Sequence, residues 1–155
     1  MPNAGVGHVL ARHEPIVSRL SDAFTLDRGE AAPDVYRSAA EVNAYGLFFF
    51  PQTFCRSARV VLELIDDAGW KPPEDRPLRI LDLGCGSGGA SFGFLHELRQ
   101  KFPELQIEHT GVDRSQDNLD AARACAADCF PKAGTTSCKW NWLRRDITGS
   151  GFSWE

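Results

Sequence analysis

Asp113 and Asp146 stand at the ends of two expected strands, and Asp82 stands two positions before a cluster of glycines. In "RILDLGCGSGGASFGF", Arg79 to Phe94, the apolar run passes into Gly84, Gly86, Gly88 and Gly89 and then into an amphipathic stretch. Glycines at a strand-to-helix turn accept unusual backbone angles and let a ligand approach the main chain with no Cβ in the way. The helix start that follows offers unpaired N–H groups to an anionic group. Asp113 ends "HTGVD" and Asp146 ends "WLRRD". A carboxylate at the tip of a second strand can accept hydrogen bonds from both hydroxyls of a ribose. One at the tip of a third strand can accept from an exocyclic amine, with the N–H of Ile147 meeting a ring nitrogen. Each aspartate alone serves equally well to begin a turn or cap a helix, and a glycine-rich turn alone serves close packing. Their placement on successive strands is what reads as an adenosine site.

The elements that must position these residues follow from periodicity. Arg79 to Leu83 reads as a short buried strand. Ser87 to Lys101 reads as a helix with Phe92, Leu95 and Leu98 on one side, and Ile107 to Asp113 as a second strand. Ser115 to Cys129 is an alanine-rich helix with Ser115 as its cap, and Cys138 to Ile147 a third strand. This β-α-β-α-β order implies an α/β fold: the first half, about three strands, of a Rossmann-like doubly wound parallel sheet. Residues 1–69 precede it as a helical region, with helices expected over His8 to Ala23 interrupted at Pro15, Pro33 to Tyr45, and Pro51 to Ala68. In the last, Phe54, Ala58, Val61, Leu62 and Ile65 share a face expected to pack on the core. A Pro-rich linker, residues 70–77, separates this region from the sheet at residues 78–155.

Composition narrows the function classes. The 155 residues are 43% hydrophobic and 25% charged with a net charge of −4, which offers no broad electrostatic footprint for nucleic acid. No apolar run reaches the roughly 18 residues needed to cross a bilayer. "GLFFFP" is expected to stop at Pro51, and the consecutive Phe48, Phe49 and Phe50 read as packing residues. The N-terminus lacks the pattern of a secretory or transit segment, so a cytoplasmic setting is expected. Cys55, Cys85, Cys125, Cys129 and Cys138 form no C-x-x-C pair. Reduced thiols are the simplest reading, with no metal site.

Gly84, Gly86 and Gly89 also satisfy the G-x-G-x-x-G dinucleotide fingerprint, which leaves a nicotinamide-dependent oxidoreductase as a rival. With Asp82 in "LDLGCGSG", however, the segment resembles motif I of the class I S-adenosylmethionine-dependent methyltransferases. The resemblance covers about residues 78–148 and implies S-adenosylmethionine as cofactor. It implies that Gly84, Gly86 and Gly88 wrap the methionine part, with Cys85 and Ser87 as variable loop positions. Asp82 would fix the loop or meet the amino group indirectly, Asp113 would hold the ribose, and Asp146 with Ile147 would hold adenine. Cys85 has no base placed beside it and is not expected to act as a nucleophile.

Acceptor-specific residues of that family follow a fourth strand, so the methyl acceptor and the catalytic residues stay unassigned. The same strand order leaves the first strand as a sheet edge, which implies either that the chain is a fragment of a longer domain or that a partner or a second copy covers the edge. "AYGLFFFPQTFCRSARVVLEL", with "ILDLGCGSGGA" and "GVDRSQDNLDAAR", looks like the methyltransferase-like family associated with small-ribosomal-subunit assembly, with Tyr45 and Pro51 matching its preface. That likeness implies RNA or a ribosomal subunit among the partners. Three readings stand: a methyltransferase cofactor-binding portion, a non-catalytic assembly factor that keeps the cofactor fold, and an NAD-dependent oxidoreductase.

Overall fold

The computed structural model describes residues 4–25, 38–130 and 137–147. In chain order the elements are α1 (Ala4–Thr25), α2 (Ala39–Asp66), β1 (Leu78–Leu83), α3 (Gly89–Lys101), β2 (Ile107–Asp113), α4 (Gln116–Cys129) and β3 (Cys138–Arg144). The chain divides into two compact units, Met1–Phe49 and Phe50–Glu155, with the boundary inside α2.

Within the first unit, Leu20 and Ala44 are fully buried, and Ile16, Val17, Ala23, Tyr45 and Phe49 pack against them. The positions 16, 20 and 23 follow helical spacing, so α1 lays one apolar stripe on the start of α2. An Arg19–Glu41 ion pair lies between the same two helices. Ser38 opens α2: its hydroxyl accepts from the Glu41 N–H at 3.4 Å, three residues on, in the spacing of a capping box.

Both prolines expected to break helices lie inside them: α1 runs through Pro15, and α2 runs through Pro51 as one 28-residue helix. Each proline forfeits one ladder hydrogen bond and strains one turn. In α1 the packing residues Ile16, Val17, Leu20 and Ala23 follow Pro15, in α2 they lie on both sides of Pro51, and this packing outweighs the local cost. Of the three consecutive phenylalanines, Phe49 joins the core of the first unit and Phe48 is exposed. Phe50 stacks on Phe54 and meets the Phe92 ring at a tilt in the second. Pro33 to Arg37 of the expected second helix, the His8 side chain, and Phe152 and Trp154 lie outside the described residues.

The second unit is a three-stranded parallel sheet in the order β1-β2-β3. Val61 of α2, Leu95 and Leu98 of α3 and Ile107 of β2 form its buried core, joined by Ile65, Leu78, Ile80, Phe130 and Trp140. The helix face expected over Phe54 to Ile65 thus does pack on the sheet layer. A Cβ at Gly93 would collide with the Phe54 carbonyl, so α2 and α3 cross with backbones nearly touching. Ser57 bonds across the same crossing to the Ala90 carbonyl at 2.6 Å. Gly69, with φ 68°, turns the chain out of α2, and the Trp70 N–H closes on the Leu64 carbonyl.

Two element ends differ from the sequence expectation. α3 begins at Gly89 and not at Ser87, because Gly88 sits at φ 88° and keeps the loop open two residues longer. β3 stops at Arg144, so Asp146 lies two residues beyond the strand.

The register assigns the sheet's faces. Leu78, Ile80 and Asp82 pair with Ile107, His109 and Gly111, which pair with Cys138, Trp140 and Trp142, and this face meets the helices. Arg79, Leu81 and Leu83 point to the other side with Glu108, Lys139, Asn141 and Leu143.

Candidate functional site

The turn from β1 into α3 is built from alternating backbone hands. Gly84, Gly86 and Gly88 have φ of 71°, 54° and 88°, and Cys85 and Ser87 between them do not have positive φ. That sequence of angles demands glycine at the three positions and curls the loop into a concavity lined by main-chain groups. Nothing lies within 4 Å of where a Gly84 Cβ would stand. The residue before α3, Gly88, has no side chain to cap it, and the Ser91 N–H in its first turn faces the Asp82 carboxylate.

The neighbouring strand end is tied into this loop. The Asp113 carboxylate accepts the Gly86 N–H at 2.9 Å through Oδ2 and the Ser115 N–H at 2.8 Å through Oδ1. One lone pair on each oxygen is left, the two acceptors that a vicinal diol requires. Ser115, the expected cap of α4, accepts the Asn118 N–H. The glycine loop, β2 and α4 therefore meet at Asp113.

Below the loop, Asp82 is held by Ser91 of α3, whose hydroxyl donates to Asp82 Oδ2 at 2.5 Å. The same hydroxyl lies 2.6 Å from His109 Nε2. Burial holds the Asp82 carboxyl above the usual range; the Ser91 hydrogen bond opposes this and the nearby Asp113 charge adds to it. The Cys85 thiol is pushed up to about 12, by burial first and then by the charges of Asp82 and Asp113. It stays a thiol at neutral pH and is no nucleophile. Ser91 touches both Asp82 and His109 and is 5% exposed, so it is not placed as a nucleophile activated by a histidine base.

The structure thus brings Asp82, Gly84, Cys85, Gly86, Gly88 and Asp113 to one end of the sheet. Asp146 is exposed and Ile147 half-buried, beyond the end of β3. Sequence reasoning missed Ser91, His109 and Ser87. His109 was legible in principle, since Ile107, His109, Gly111 and Asp113 alternate along β2 and a histidine on the covered face needs a partner. Ser87 is buried with no partner for its hydroxyl, and so are both polar ends of Asn118. Among the described residues, no group of three His, Cys, Asp or Glu could hold a metal ion, and no helix is long and apolar enough to cross a membrane.

The second unit is thus a parallel β-α-β-α-β unit with a glycine-rich loop after β1 and carboxylates at its first two strand ends. Residues 74–139 match the family model described as a methyltransferase domain. No curated protein matches the sequence. Solved structures are similar at low identity. The plantazolicin methyltransferase BpumL, in complex with a monoazolic desmethyl-plantazolicin analogue and S-adenosylhomocysteine, is 18% identical with a TM-score of 0.44, over 97% of this chain and 46% of that one. A Methanococcus maripaludis protein described as an S-adenosylmethionine-dependent methyltransferase is 12% identical, TM-score 0.49, over 78% and 48%. Magnesium protoporphyrin IX methyltransferase from Synechocystis PCC 6803 with bound S-adenosylmethionine is 18% identical, TM-score 0.41, over 91% and 55%. The chain spans about half the length of these structures.

Proposed function

We propose that residues 78–147 bind S-adenosylmethionine and that the whole protein transfers its methyl group to an acceptor. The observation that carries this reading is the Gly86 N–H bond to Asp113, which fixes a glycine concavity beside a diol acceptor, with Asp82 just beneath. The buried, unpartnered Ser87 hydroxyl, the open space at Gly84 and the uncapped start of α3 suit a bound ligand with a carboxylate and an amino group. When bound, the cofactor supplies the chemistry, a sulfonium methyl activated for in-line transfer. The protein's share is orientation: the α3 start and the glycine loop receive the methionine part, Asp82 faces its cationic end, and Asp113 takes the ribose. Asp146 and the Ile147 N–H are assigned to adenine.

Two carboxylates near enough to raise the Asp82 proton affinity favour a cationic ligand. They disfavour the pyrophosphate that a nicotinamide cofactor would bring to the same helix start. The five free thiols suit a reducing, cytoplasmic setting. A second reading, a binding module that acts through a partner or a second copy without turnover, draws on the β1 edge, where Leu81 and Leu83 are 49% and 46% exposed. RNA or a ribosomal subunit belongs to that reading as the partner class.

Calorimetric titration with S-adenosylmethionine, S-adenosylhomocysteine and NADH tests these readings on protein shown to be folded by circular dichroism. Saturable binding of the first two alone is the expected result. Binding of NADH instead, or of none by folded protein, overturns the methyl-donor reading, and the last outcome favours the partner-dependent module.

A further inference from the structure

Ser91, His109 and Asp82 form a chain of hydrogen bonds that nothing in the cofactor reading requires. Ser91 sits at the start of α3 and His109 at mid-β2; they are 5% and 1% exposed. The hydroxyl lies 2.5 Å from Asp82 Oδ2 and 2.6 Å from His109 Nε2. The imidazole is walled by the Trp140 and Trp142 rings, with centroids 5.0 and 5.1 Å away. Its Nδ1 is buried with no partner.

A serine hydroxyl has one proton, and proton counting fixes the chain's direction. If Ser91 donates to the Asp82 carboxylate, it must accept from His109, so Nε2 carries the ring proton and Nδ1 is a bare lone pair. The reverse polarity needs a protonated Asp82, a hydroxyl donating to Nε2, and an N–H at Nδ1 buried without an acceptor. An orphaned buried N–H is the rarer and costlier defect. The absence of an acceptor at Nδ1 therefore favours the polarity in which Asp82 is an anion, and it does so through Ser91.

We infer that Ser91 and His109 are positioning residues that hold Asp82 as an aimed carboxylate for the cationic end of the ligand. The inference rests on the methyl-donor reading for the identity of that ligand, but the relay itself is a property of the folded protein. Neither Ser91 nor His109 need touch the ligand. Both act by setting the rotamer and charge of Asp82.

Long-range 1H–15N NMR at neutral pH reads the relay without any ligand. His109 is expected as the Nε2–H tautomer, and Asp82→Asn is expected to move its Nε2 resonance through Ser91. An Nδ1–H tautomer, or an Nε2 signal indifferent to Asp82→Asn, overturns the inference. S-adenosylhomocysteine affinity then reads the consequence. Ser91→Ala should weaken binding about three- to tenfold, the scale of one ordinary hydrogen bond felt through Asp82, and Ser91→Thr should restore it. In the Asp82→Asn background, Ser91→Ala should add nothing. Additive losses, or unchanged affinity in folded Ser91→Ala, overturn the positioning role. If wild-type protein binds no S-adenosylhomocysteine, the donor reading fails, while the NMR result still decides the relay.

Discussion

Along the covered face of the sheet, Ile80 and Asp82 of β1 alternate with Arg79, Leu81 and Leu83 of the open face, and β2 repeats the pattern with His109 and Asp113 against Glu108. The covered face holds the core together with the carboxylates proposed to bind the ligand. The open face holds Leu81, Leu83 and Leu143, 49%, 46% and 36% exposed, with Arg79 and Lys139 at 3.4 and 3.6 Å from Glu108. The same strands, in a two-residue period, carry chemistry on one side and unspent apolar surface on the other. Parallel sheets are ordinarily buried on both sides, so the two faces should respond very differently to substitution.

The largest contrast is in packing. Leu98 of α3 is fully buried over the covered face, and Leu98→Ala is expected to destabilise the fold by about 2–5 kcal/mol, read from denaturant midpoints. A loss well under that range would mean that the helix layer is loosely seated and that the two faces are less distinct than the register suggests.

Acid titration probes the same face through His109. Burial lowers its pKa from 6.5 to about 4, so the folded protein resists a proton that the unfolded chain accepts. Stability is therefore complete above about pH 6.5, falls as the pH drops toward 4, and levels off below it. The loss is at most roughly 3 kcal/mol at about 1.4 kcal/mol per pKa unit. Asp82 works in the opposite sense: with its pKa raised, its ionisation costs stability as pH rises from the ordinary carboxylate value through the folded one, which blunts the low end of the His109 loss. Denaturation series across this range should show the fall, and His109→Gln should flatten it whatever its effect at neutral pH. An unchanged slope in that variant would remove His109 as the cause.

Next comes ligand binding at the carboxyl end of the covered face. Asp113→Ala is expected to weaken S-adenosylhomocysteine binding by about 1–3 kcal/mol, since it removes a charged acceptor and also frees the Gly86 N–H. Asp146→Ala should cost less, because Asp146 is exposed beyond β3. An equal or larger loss at Asp146 would bring the third strand's end into the site on the same footing as the second.

These residues also show what was legible in the sequence. The glycine spacing, the first two strands and the cap at Ser115 are local signals, set by steric and hydrogen-bonding rules that act within a few residues, and the structure has them where the sequence placed them. The continuity of α1 through Pro15 and of α2 through Pro51 was not legible. A proline's cost is local, whereas the compensating contacts, from Leu20 to Ala44 or from Val61 to Leu95, join positions far apart in the chain. The Ser91–His109 pair was hidden for the same reason. A serine in a helix and a histidine in a strand are unremarkable singly, and only β2 lying beneath the start of α3 brings them within 2.6 Å. The place of Asp146 at a strand tip was corrected for a subtler reason, since it was inferred from run length and β3 ends at Arg144, three residues short of the expected Ile147.

The smallest effect is expected on the open face, and it decides how that face is used. Leu81→Thr keeps a residue suited to a strand and removes an apolar side chain that is already half in water. If the face meets solvent, stability should change by no more than about 0.5 kcal/mol, the usual range for surface sites, and solubility should rise. The neighbouring Arg79–Glu108 pair is also exposed, so replacing Arg79 should move stability equally little. A cost of about 2 kcal/mol for Leu81→Thr would require that the leucine be buried in solution against something outside residues 78–147. Its dependence on protein concentration then separates the candidates. A cost that shrinks on dilution points to a second copy seated on β1, and one that does not points to cover from within the same chain.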